Sequence, residues 1–341
     1  MTLEIQTEHD LSGFNTLRLP CVAARYVAPT DPGVLTSAIA LARRNDWPVL
    51  VLGGGSNLIL GERLDGLVIQ PAFQRWQLEP IRKGRVKLTV EAGMNWHRLV
   101  MAMAEQDLWG LENLALIPGH CGAAPIQNIG AYGVELSDIL DAVHGVDLQE
   151  GCEVVFSRDE CAFGYRDSIF KHAMEGRVAI THLELSLSTQ AQPKLEYGDL
   201  ARRVGNEPTP LEIANTVIAT RQEKLPDPAV LPNAGSFFKN PVVNAAKADR
   251  LLSKYPDMPH FPQSPGEIKL AAGWLIDQCG LKGYRKGAFG VHEKQALVLV
   301  HRGGGSAQEL MVFADGIARD VLERFGVVLE KEPRAIGLHP T

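Results

Sequence analysis

Apolar and polar positions along the chain follow two periods, one typical of helices and one typical of strands. Residues 31–45 carry apolar side chains at helical spacing, and Pro32 suits the first helical turn. Residues 48–52 follow as a short apolar run that predicts a buried strand. This order predicts a βαβ-like unit near the start of the chain.

The middle of the chain is predicted to be a sheet flanked by helices. Further strands are predicted at residues 67–69, 86–90, 143–148, 154–156 and 179–187, and helices at residues 96–105 and 208–221. In the last of these strands Leu183, Leu185 and Leu187 alternate with more polar residues. Such alternation is typical of a strand with one buried face, so an antiparallel or mixed sheet is expected.

A cluster of prolines at residues 226–232 marks the predicted domain boundary. Beyond it we predict helices at residues 245–254, 271–279 and 306–325, a proline-rich loop at 256–265, and strands at 296–301 and 327–336. Ser306 and Glu309 have the spacing of a helix-starting capping box. The predicted fold class is α+β (mixed α/β).

Composition narrows the function classes. The chain has 341 residues, which favours two or three domains, and a net charge of -6, which argues against a broad basic surface for nucleic acid. Residues 1–10 lack the apolar core of a secretory signal, and no apolar run is long enough to cross a bilayer. The five cysteines form no Cys-x-x-Cys pair and no His-x-x-x-His pair occurs, so a reduced compartment and no metal site are expected.

Two runs of three glycines, at residues 53–55 and 303–305, look like phosphate-binding loops. The first follows a predicted strand and could cradle phosphate with its backbone N–H groups; it comprises Gly53, Gly54, Gly55, Ser56 and Asn57. It matches neither the dinucleotide fingerprint nor the P-loop, and a plain strand-to-strand turn remains the alternative. The other, residues 303–305, is interpreted as the lead-in to the Ser306 helix cap.

The segment 118–133 contains four glycines, which let a backbone approach a large planar or phosphorylated ligand closely. Gln127, Asn128 and Tyr132 supply hydrogen-bonding groups in the same segment. Further along, Arg166 lies among aromatic residues and suits a carboxylate or phosphate ligand. A surface pair with Asp167 is the alternative for Arg166.

Ser236 and Glu332 are candidate reacting groups. Phe238 occupies the position where a hydrolase nucleophile elbow needs glycine, so Ser236 is poorly placed as a nucleophile. A serine hydroxyl can still donate a proton when a neighbouring group lowers the cost of the alkoxide. The alternatives are a turn serine and a surface carboxylate.

These segments, in this order, resemble the UDP-N-acetylenolpyruvoylglucosamine reductase (MurB) family of flavoenzymes. The resemblance runs from Asn15 to Gly337 and rests on residues 53–57, 117–133, 163–171, 197–200, 224–228, 233–241 and 269–279. The resemblance implies an FAD-binding region of the vanillyl-alcohol-oxidase type in two lobes, at 1–73 and 74–224. It also implies a substrate-binding α+β domain at 225–328 and a C-terminal strand at 329–341 that returns to the active site.

The same resemblance implies the chemistry. NADPH would reduce non-covalently held FAD and leave, and UDP-N-acetylglucosamine enolpyruvate would then be reduced to UDP-N-acetylmuramate for peptidoglycan synthesis. A monomer is also implied, and the charge, cysteine usage and lack of long apolar runs predict a cytoplasmic protein without nucleic-acid or membrane partners. The segment beginning at Tyr197 resembles the type I branch, in which a tyrosine-bearing loop covers the substrate.

Residue roles follow from the same matches. Ser236 would protonate the substrate carbon beside the carboxylate, Arg166 would hold that carboxylate, and Glu332 would assist as a protonated acid. Pro333 departs from the family pattern, where a β-branched residue is usual, and it removes a backbone donor beside Glu332. The substrate-binding set implied is Tyr132, Tyr165, Tyr197, Lys224, Asn240 and Gln295. The cofactor-binding set implied is residues 53–57 together with Pro118, Gly119, Gly122, Ala123, Gln127, Asn128, Gly130, Ala131 and Gly133.

Two other functions remain as alternatives. A flavin oxidase of the same fold would act on an alcohol or sugar with oxygen, and it would consume oxygen rapidly with such a substrate. A non-catalytic nucleotide-sugar-binding protein would carry no flavin when purified. The segments around Arg166 and Ser236 disfavour the oxidase.

Overall fold

Capping residues set the ends of several helices in a computed structural model that describes residues 3–82 and 84–338. The helices are α1 (Pro32–Arg44), α2 (Trp96–Ala104), α3 (Leu200–Arg203), α4 (Pro210–Lys224), α5 (Ala245–Lys254), α6 (Ala272–Gln278) and α7 (Ala307–Phe325). Before α1, the side chain of Asp31 accepts a hydrogen bond from Val34 N at 3.0 Å. Before α7, Ser306 and Glu309 form the predicted capping box, and Gly326 ends that helix with a left-handed φ of 65°.

The strands are mostly short. They are β1 (Gln6–Asp10), β2 (Val22–Val27), β3 (Val49–Val51), β4 (Leu58–Leu60), β5 (Arg63–Ile69), β6 (Trp76–Arg82), β7 (Arg85–Glu91), β8 (Gly130–Ala131), β9 (Val134–Glu135), β10 (Leu140–Asp147), β11 (Glu153–Ser157), β12 (Val178–Ser188), β13 (Asn233–Ser236), β14 (Val242–Asn244), β15 (His260–Pro262), β16 (Glu267–Leu270), β17 (Arg285–Lys286), β18 (Phe289–Val291), β19 (Val298–His301) and β20 (Arg334–Ile336). Helices and strands alternate irregularly, so the predicted mixed α+β class is confirmed.

The described residues divide into two units. The first holds the described residues of Met1–His9, Ala23–Gly55 and Leu64–Glu223, and the second holds those of Asp10–Val22, Ser56–Arg63 and Lys224–Thr341. Each unit has its own apolar core. Trp96, Leu99 and Leu183 belong to the first core, whereas Phe237 and Phe238 belong to the second.

The first unit is built mainly on two sheets. One has the strand order β1-β2-β5-β3, in which β3 and β5 are parallel. The other has the order β11-β10-β12-β7-β6 and is antiparallel throughout. Leu183, Leu185 and Leu187 of β12 are fully buried, so the predicted alternation is confirmed. The chain order of the βαβ-like prediction is also confirmed, since α1 lies between β2 and β3 along the chain, and β5 lies between these two strands in the sheet.

The second unit contains three smaller sheets. Their strand orders are β13-β19-β18-β17, β14-β16-β15 and β20-β4. In the last of them β20 runs parallel to β4, with Arg334 opposite Leu58. This pairing fixes the C-terminal segment immediately after Glu332.

Two predictions about this unit are wrong in detail. The predicted final strand at 327–336 shrinks to β20, because Val327 and Leu329 are buried in the core without a strand partner. The predicted proline-rich loop contains strand β15, whose three residues are all exposed. An exposed edge strand leaves no apolar alternation for a sequence pattern to detect. Within residues 3–82 and 84–338, no helix combines the length and apolarity needed to cross a membrane.

Candidate functional site

The glycine turn between β3 and β4 packs against the glycine-rich segment 118–133. A Cβ built on Gly54 would lie 2.7 Å from Gly119 Cα, and one on Gly53 would lie 3.0 Å from Ala123 Cβ. Real Cβ atoms do not approach backbone this closely, so glycine is required for the two segments to meet. Gln70 Nε2 donates to Gly53 O at 3.0 Å and holds the turn in place. Both segments therefore form one cradle in the first unit.

The segment 118–133 is folded tightly by its own polar groups. It contains a 3-10 helix, Cys121–Gln127, followed by Asn128 in a left-handed conformation. Asn128 Nδ2 donates to Glu135 Oε2 at 2.7 Å and to Gly164 O at 3.1 Å, and Asn128 Oδ1 accepts from Ser137 N at 3.0 Å. The Asn128 side chain thus shapes the segment, and its contact with a cofactor stays a prediction.

Arg166 is held against this segment. Its Nη2 donates to Gly130 O at 2.7 Å, and a Cβ on Gly130 would lie 3.0 Å from Arg166 Nη1. Arg166 itself has a left-handed φ of 55°, a strained conformation for a residue with a long side chain. Its guanidinium carbon lies 5.3 Å from the centre of the Tyr165 ring. Several independent contacts therefore fix the position of this cation.

The surface-pair alternative for Arg166 receives no support. Both carboxylate oxygens of Asp167 lie within hydrogen-bonding distance of His172 Nε2, at 2.8 and 2.9 Å. Lys171 Nζ donates to Arg166 O at 3.0 Å. The adjacent acid is thus engaged by His172, and the Arg166 side chain turns to Gly130.

Tyr132 and Tyr197 meet in the first unit. Their ring centres are 5.7 Å apart at 76°, an edge-to-face contact. Tyr132 is partly buried, and this burial raises the pKa of its phenol. Tyr197 is 54% exposed, so the segment that carries it lies at the surface of the unit.

Arg221 is a charged residue of the same region that the sequence reasoning missed. Burial lowers the pKa of its guanidinium, and Tyr132 and Arg166 are close enough to influence it in opposite directions. Its Nε atom is shielded from solvent and has no hydrogen-bond partner among the described residues. Arg221 lies four residues after buried Val217 on α4, and an arginine on an apolar helical stripe was the available signal.

The partially buried cations and the glycine cradle fit an acidic or acceptor-rich ligand. Two cations close enough to repel each other favour an anion between or beside them. Backbone segments that only glycine permits are typical of sites where a large cofactor approaches the chain. The two arginine side chains and the glycine cradle of this unit therefore fit FAD. Across the described part of the chain, no cluster of three or more metal-ligating side chains occurs.

Ser236 lies at the end of β13 in the second unit, where the strand is irregular. Asn233 pairs with Val300 and Ser236 with Val298, with a register shift between these pairs. Gly235 has a left-handed φ of 70°, and its N–H donates to Asn233 Oδ1 at 2.9 Å. Asn233 is buried and donates in turn to Leu231 O at 2.8 Å. This local turn changes the direction of the chain at Ser236.

The segment carrying Glu332 pairs with the residues that follow Ser236. Glu332 N donates to Phe237 O, and Lys239 N donates to Glu330 O, each at 2.9 Å. Phe238 and Lys331 form the antiparallel bridge between these two bonds. The backbone therefore places Ser236 and Glu332 on neighbouring, paired segments.

Pro333 does not interrupt this pairing. Its missing N–H falls between two flanking donors that are both used. Glu332 N bonds Phe237 O, and Arg334 N donates to Asn57 O at 3.1 Å. Asn57 Nδ2 also donates to Glu332 O at 3.4 Å. The departure at Pro333 thus leaves the backbone of Glu332 anchored on both sides, and Asn57 has a structural contact there.

Asn240 and Gln295 converge on the start of α6. Asn240 Oδ1 accepts from Ala272 N at 3.0 Å. A Cβ on Gly273 would lie 3.0 Å from Gln295 Oε1, so the two polar side chains reach successive residues of the helix. Lys224, the last residue of α4, is exposed. These three residues belong to the second unit, as do Ser56, Asn57, Ser236 and Glu332, whereas Arg166 belongs to the first.

Two family models match the chain. The model described as an FAD binding domain matches residues 23–154, and that of the UDP-N-acetylenolpyruvoylglucosamine reductase C-terminal domain matches residues 227–336. The first match contains Gly53–Asn57 and the segment 118–133, and the second contains Ser236 and Glu332. The predicted FAD-binding region and separate C-terminal domain are therefore confirmed.

Whole-length relatives agree with the family models. A protein of Chromobacterium violaceum named UDP-N-acetylenolpyruvoylglucosamine reductase is 46% identical over 340 residues, which cover 98% of this chain and 99% of the relative. One of Pseudomonas aeruginosa with the same name is 45% identical over 337 residues, with the same coverage. The crystal structure of the Thermus caldophilus enzyme superposes with a TM-score of 0.68 at 26% identity, covering 98% and 99% of the two chains. The chain therefore belongs to the UDP-N-acetylenolpyruvoylglucosamine reductase (MurB) family of FAD-binding oxidoreductases.

Proposed function

We propose that the chain catalyses the NADPH-dependent reduction of UDP-N-acetylglucosamine enolpyruvate to UDP-N-acetylmuramate, a precursor of peptidoglycan. FAD, when bound, supplies the hydride chemistry between NADPH and the sugar nucleotide. The protein then has three tasks: to hold the enolpyruvyl group, to stabilise the charge that develops on its carboxylate, and to deliver a proton.

Ser236 delivers the proton in this proposal. Hydride adds to the terminal methylene carbon, and the electron pair of the double bond moves toward the carbon that bears the carboxylate. The Ser236 Oγ–H bond then breaks as its proton joins that carbon. The alkoxide regains a proton from solvent before the next cycle.

Arg166 and Glu332 stabilise the charge that precedes this proton transfer. Arg166 is held by Gly130 O and by its own left-handed backbone, so its guanidinium is preorganised for a carboxylate. Glu332 acts as a protonated acid that donates to the same carboxylate. Preorganised donors of this kind need no rearrangement as the charge appears.

The observation that carries the proposal is the hydrogen bond from Glu332 N to Phe237 O at 2.9 Å. It joins the segment of the proposed acid to the residue directly after the proposed proton donor. The pairing keeps the two segments side by side, as a joint role of their side chains requires. This observation therefore supports a joint role for Ser236 and Glu332.

The sugar nucleotide is proposed to contact a separate set of residues. Asn240 and Gln295, which meet at the start of α6, would bind near its diphosphate together with exposed Lys224. Tyr132, Tyr165 and Tyr197 would contribute from the first unit, with Tyr197 on the covering segment. Arg221, beside Tyr132, would add positive charge for an anionic group of cofactor or substrate.

We further propose that the protein works as a cytoplasmic monomer, with FAD held non-covalently and NADPH as co-substrate. The test is NADPH oxidation by the purified flavoprotein under anaerobic conditions, with and without the enolpyruvyl sugar nucleotide. Repeated turnover that requires this substrate supports the proposal. Consumption of a single equivalent of NADPH per flavin, with no response to the substrate, would show a flavoprotein with another acceptor.

A further inference from the structure

His120 lies in the FAD-binding domain at the point where the two glycine-rich segments meet. A Cβ on Gly54 would lie 3.5 Å from His120 N, and one on Gly53 would lie 3.9 Å from His120 Cβ. The imidazole therefore projects from the backbone that closes the cradle. None of the residue roles given above includes this side chain.

The backbone around His120 is fixed by bonds to the segment between β7 and α2. Trp96 N donates to Gly119 O at 3.0 Å, and Cys121 N donates to Met94 O at 2.8 Å. Asn95 and His120 form an antiparallel bridge, and His120 O accepts from Ala123 N at 3.0 Å. The backbone of His120 is therefore held from both sides.

The Nδ1 atom of this ring is shielded from solvent and has no hydrogen-bond partner among the described residues. Burial also lowers the pKa of His120, which favours a neutral ring at neutral pH. Shielded polar atoms in folded proteins are almost always paired, because an unpaired one loses its bond to water without compensation. A neutral imidazole can carry its proton on Nδ1 and donate it.

We propose that His120 Nδ1 donates a hydrogen bond to the diphosphate of FAD. The neighbouring Gly53–Gly55 turn supports this part of the cofactor, because closely spaced backbone N–H groups of glycine turns bind phosphate oxygens. A phosphate oxygen supplies the acceptor that the shielded Nδ1 lacks. His120 is thus a binding residue for FAD and has no part in proton transfer to the substrate.

The test compares FAD binding by four variants, measured by equilibrium dialysis of the purified holoprotein against buffers of graded FAD concentration. His120→Ala should weaken FAD binding by about tenfold, the usual effect of removing one partner of a shielded hydrogen bond. His120→Asn places an amide nitrogen near the former Nδ1 position and should restore most of the affinity. His120→Gln places its amide near the Nε2 position and should not.

His144→Ala is the matched control, since His144 is another histidine of the first unit whose shielded ring nitrogen, Nε2, has no hydrogen-bond partner among the described residues. The nearest carboxylate oxygen to it, Glu184 Oε1, lies at 3.7 Å. It should leave FAD binding unchanged. Equal losses in His120→Ala and His120→Asn, or an equal loss in His144→Ala, would overturn the proposed hydrogen bond. Thermal unfolding of the FAD-free variants separates a change in folding from a change in binding.

ADP tests which part of the cofactor is contacted, because it carries the diphosphate without the flavin ring. The proposal predicts that His120→Ala weakens ADP as a competitor of FAD by a factor similar to its effect on FAD itself. An unchanged ADP affinity, with weakened FAD binding, would overturn the contact with the diphosphate. These measurements contain no turnover, so they are independent of the proposed reaction.

Discussion

Glu332 N donates to Phe237 O at 2.9 Å, and this bond ties the C-terminal segment to the strand that ends at Ser236. Asn57 holds the other side of the segment by accepting from Arg334 N. The backbone at Glu332 is therefore fixed independently of its side chain. Substitutions of that side chain can report on chemistry with little effect on the pairing.

Replacement of Glu332 should show whether its side chain acts as a neutral hydrogen-bond donor or as a charged carboxylate. Glu332→Ala is expected to lower kcat by about 100-fold through loss of one preorganised donor. Glu332→Gln keeps a neutral donor and should retain clearly more activity. Both variants should accept electrons from NADPH at the normal rate in a stopped-flow experiment. Equal losses in the two variants would argue against the protonated acid.

Pro333 should be replaceable. The N–H groups on both sides of it are used, at Glu332 and Arg334, so restoring a donor at position 333 completes no missing bond. We expect Pro333→Val to keep kcat/KM within about twofold, the scale of a surface change that alters no contact. A steady-state assay measures kcat/KM. A tenfold change in this ratio would mean that Pro333 helps to position Glu332.

Gly54 should be intolerant of a side chain. A Cβ there would lie 2.7 Å from Gly119 Cα, which is backbone and cannot rotate away. Gly54→Ala is expected to lower the free energy of unfolding by about 1–3 kcal/mol, as for other overpacked sites. FAD binding should weaken with it, because the two glycine-rich segments are forced apart.

Gly316→Ala is the control for that experiment. Gly316 lies within α7, and a Cβ there would meet nothing within 4 Å. Alanine is the better helix former, so this variant should raise the free energy of unfolding by about 0.5–1 kcal/mol. Chemical denaturation of both variants measures the two effects, and equal effects would contradict the steric account of Gly54.

The thiols should differ in reactivity. Burial raises the pKa of Cys21 to about 11 and that of Cys161 to about 12, and it also raises the pKa of Cys121 and Cys279. At pH 8 these four thiols stay protonated, and thiolates are the reactive form. Exposed Cys152 should therefore react first with Ellman's reagent. Cys152→Ser should abolish the fast phase, and persistence of that phase would contradict the prediction.

The fold was predictable from the sequence where a local pattern, such as a capping box, determines where a helix or strand lies. Helix α7 begins at the capping box of Ser306 and Glu309, and helix α5 has the predicted bounds of residues 245–254. The final strand was overextended because Val327 and Leu329 are buried by packing and have no strand partner. Alternating burial without a hydrogen-bonded neighbour resembles a strand in sequence alone.

The candidate site was predictable only where a residue lies in a recognisable segment. Ser236, Arg166 and Glu332 were selected in this way, and their catalytic roles stay predictions, as do the domain boundaries at residues 73, 224 and 328. His120 and Arg221 were missed because the signal at each is a shielded nitrogen atom that has no hydrogen-bond partner among the residues that the structure describes. Burial of one atom depends on packing between distant segments, which no local pattern records.

The proposed proton transfer is tested most directly by Ser236→Ala in two separate half-reactions. Anaerobic stopped-flow spectroscopy follows flavin reduction by NADPH, and then flavin reoxidation after the enolpyruvyl sugar nucleotide is added. The account predicts normal reduction and a reoxidation step slowed by at least about 100-fold, the lower end of what a positioned proton donor contributes. Reoxidation at the unmodified rate would contradict Ser236 as the proton donor.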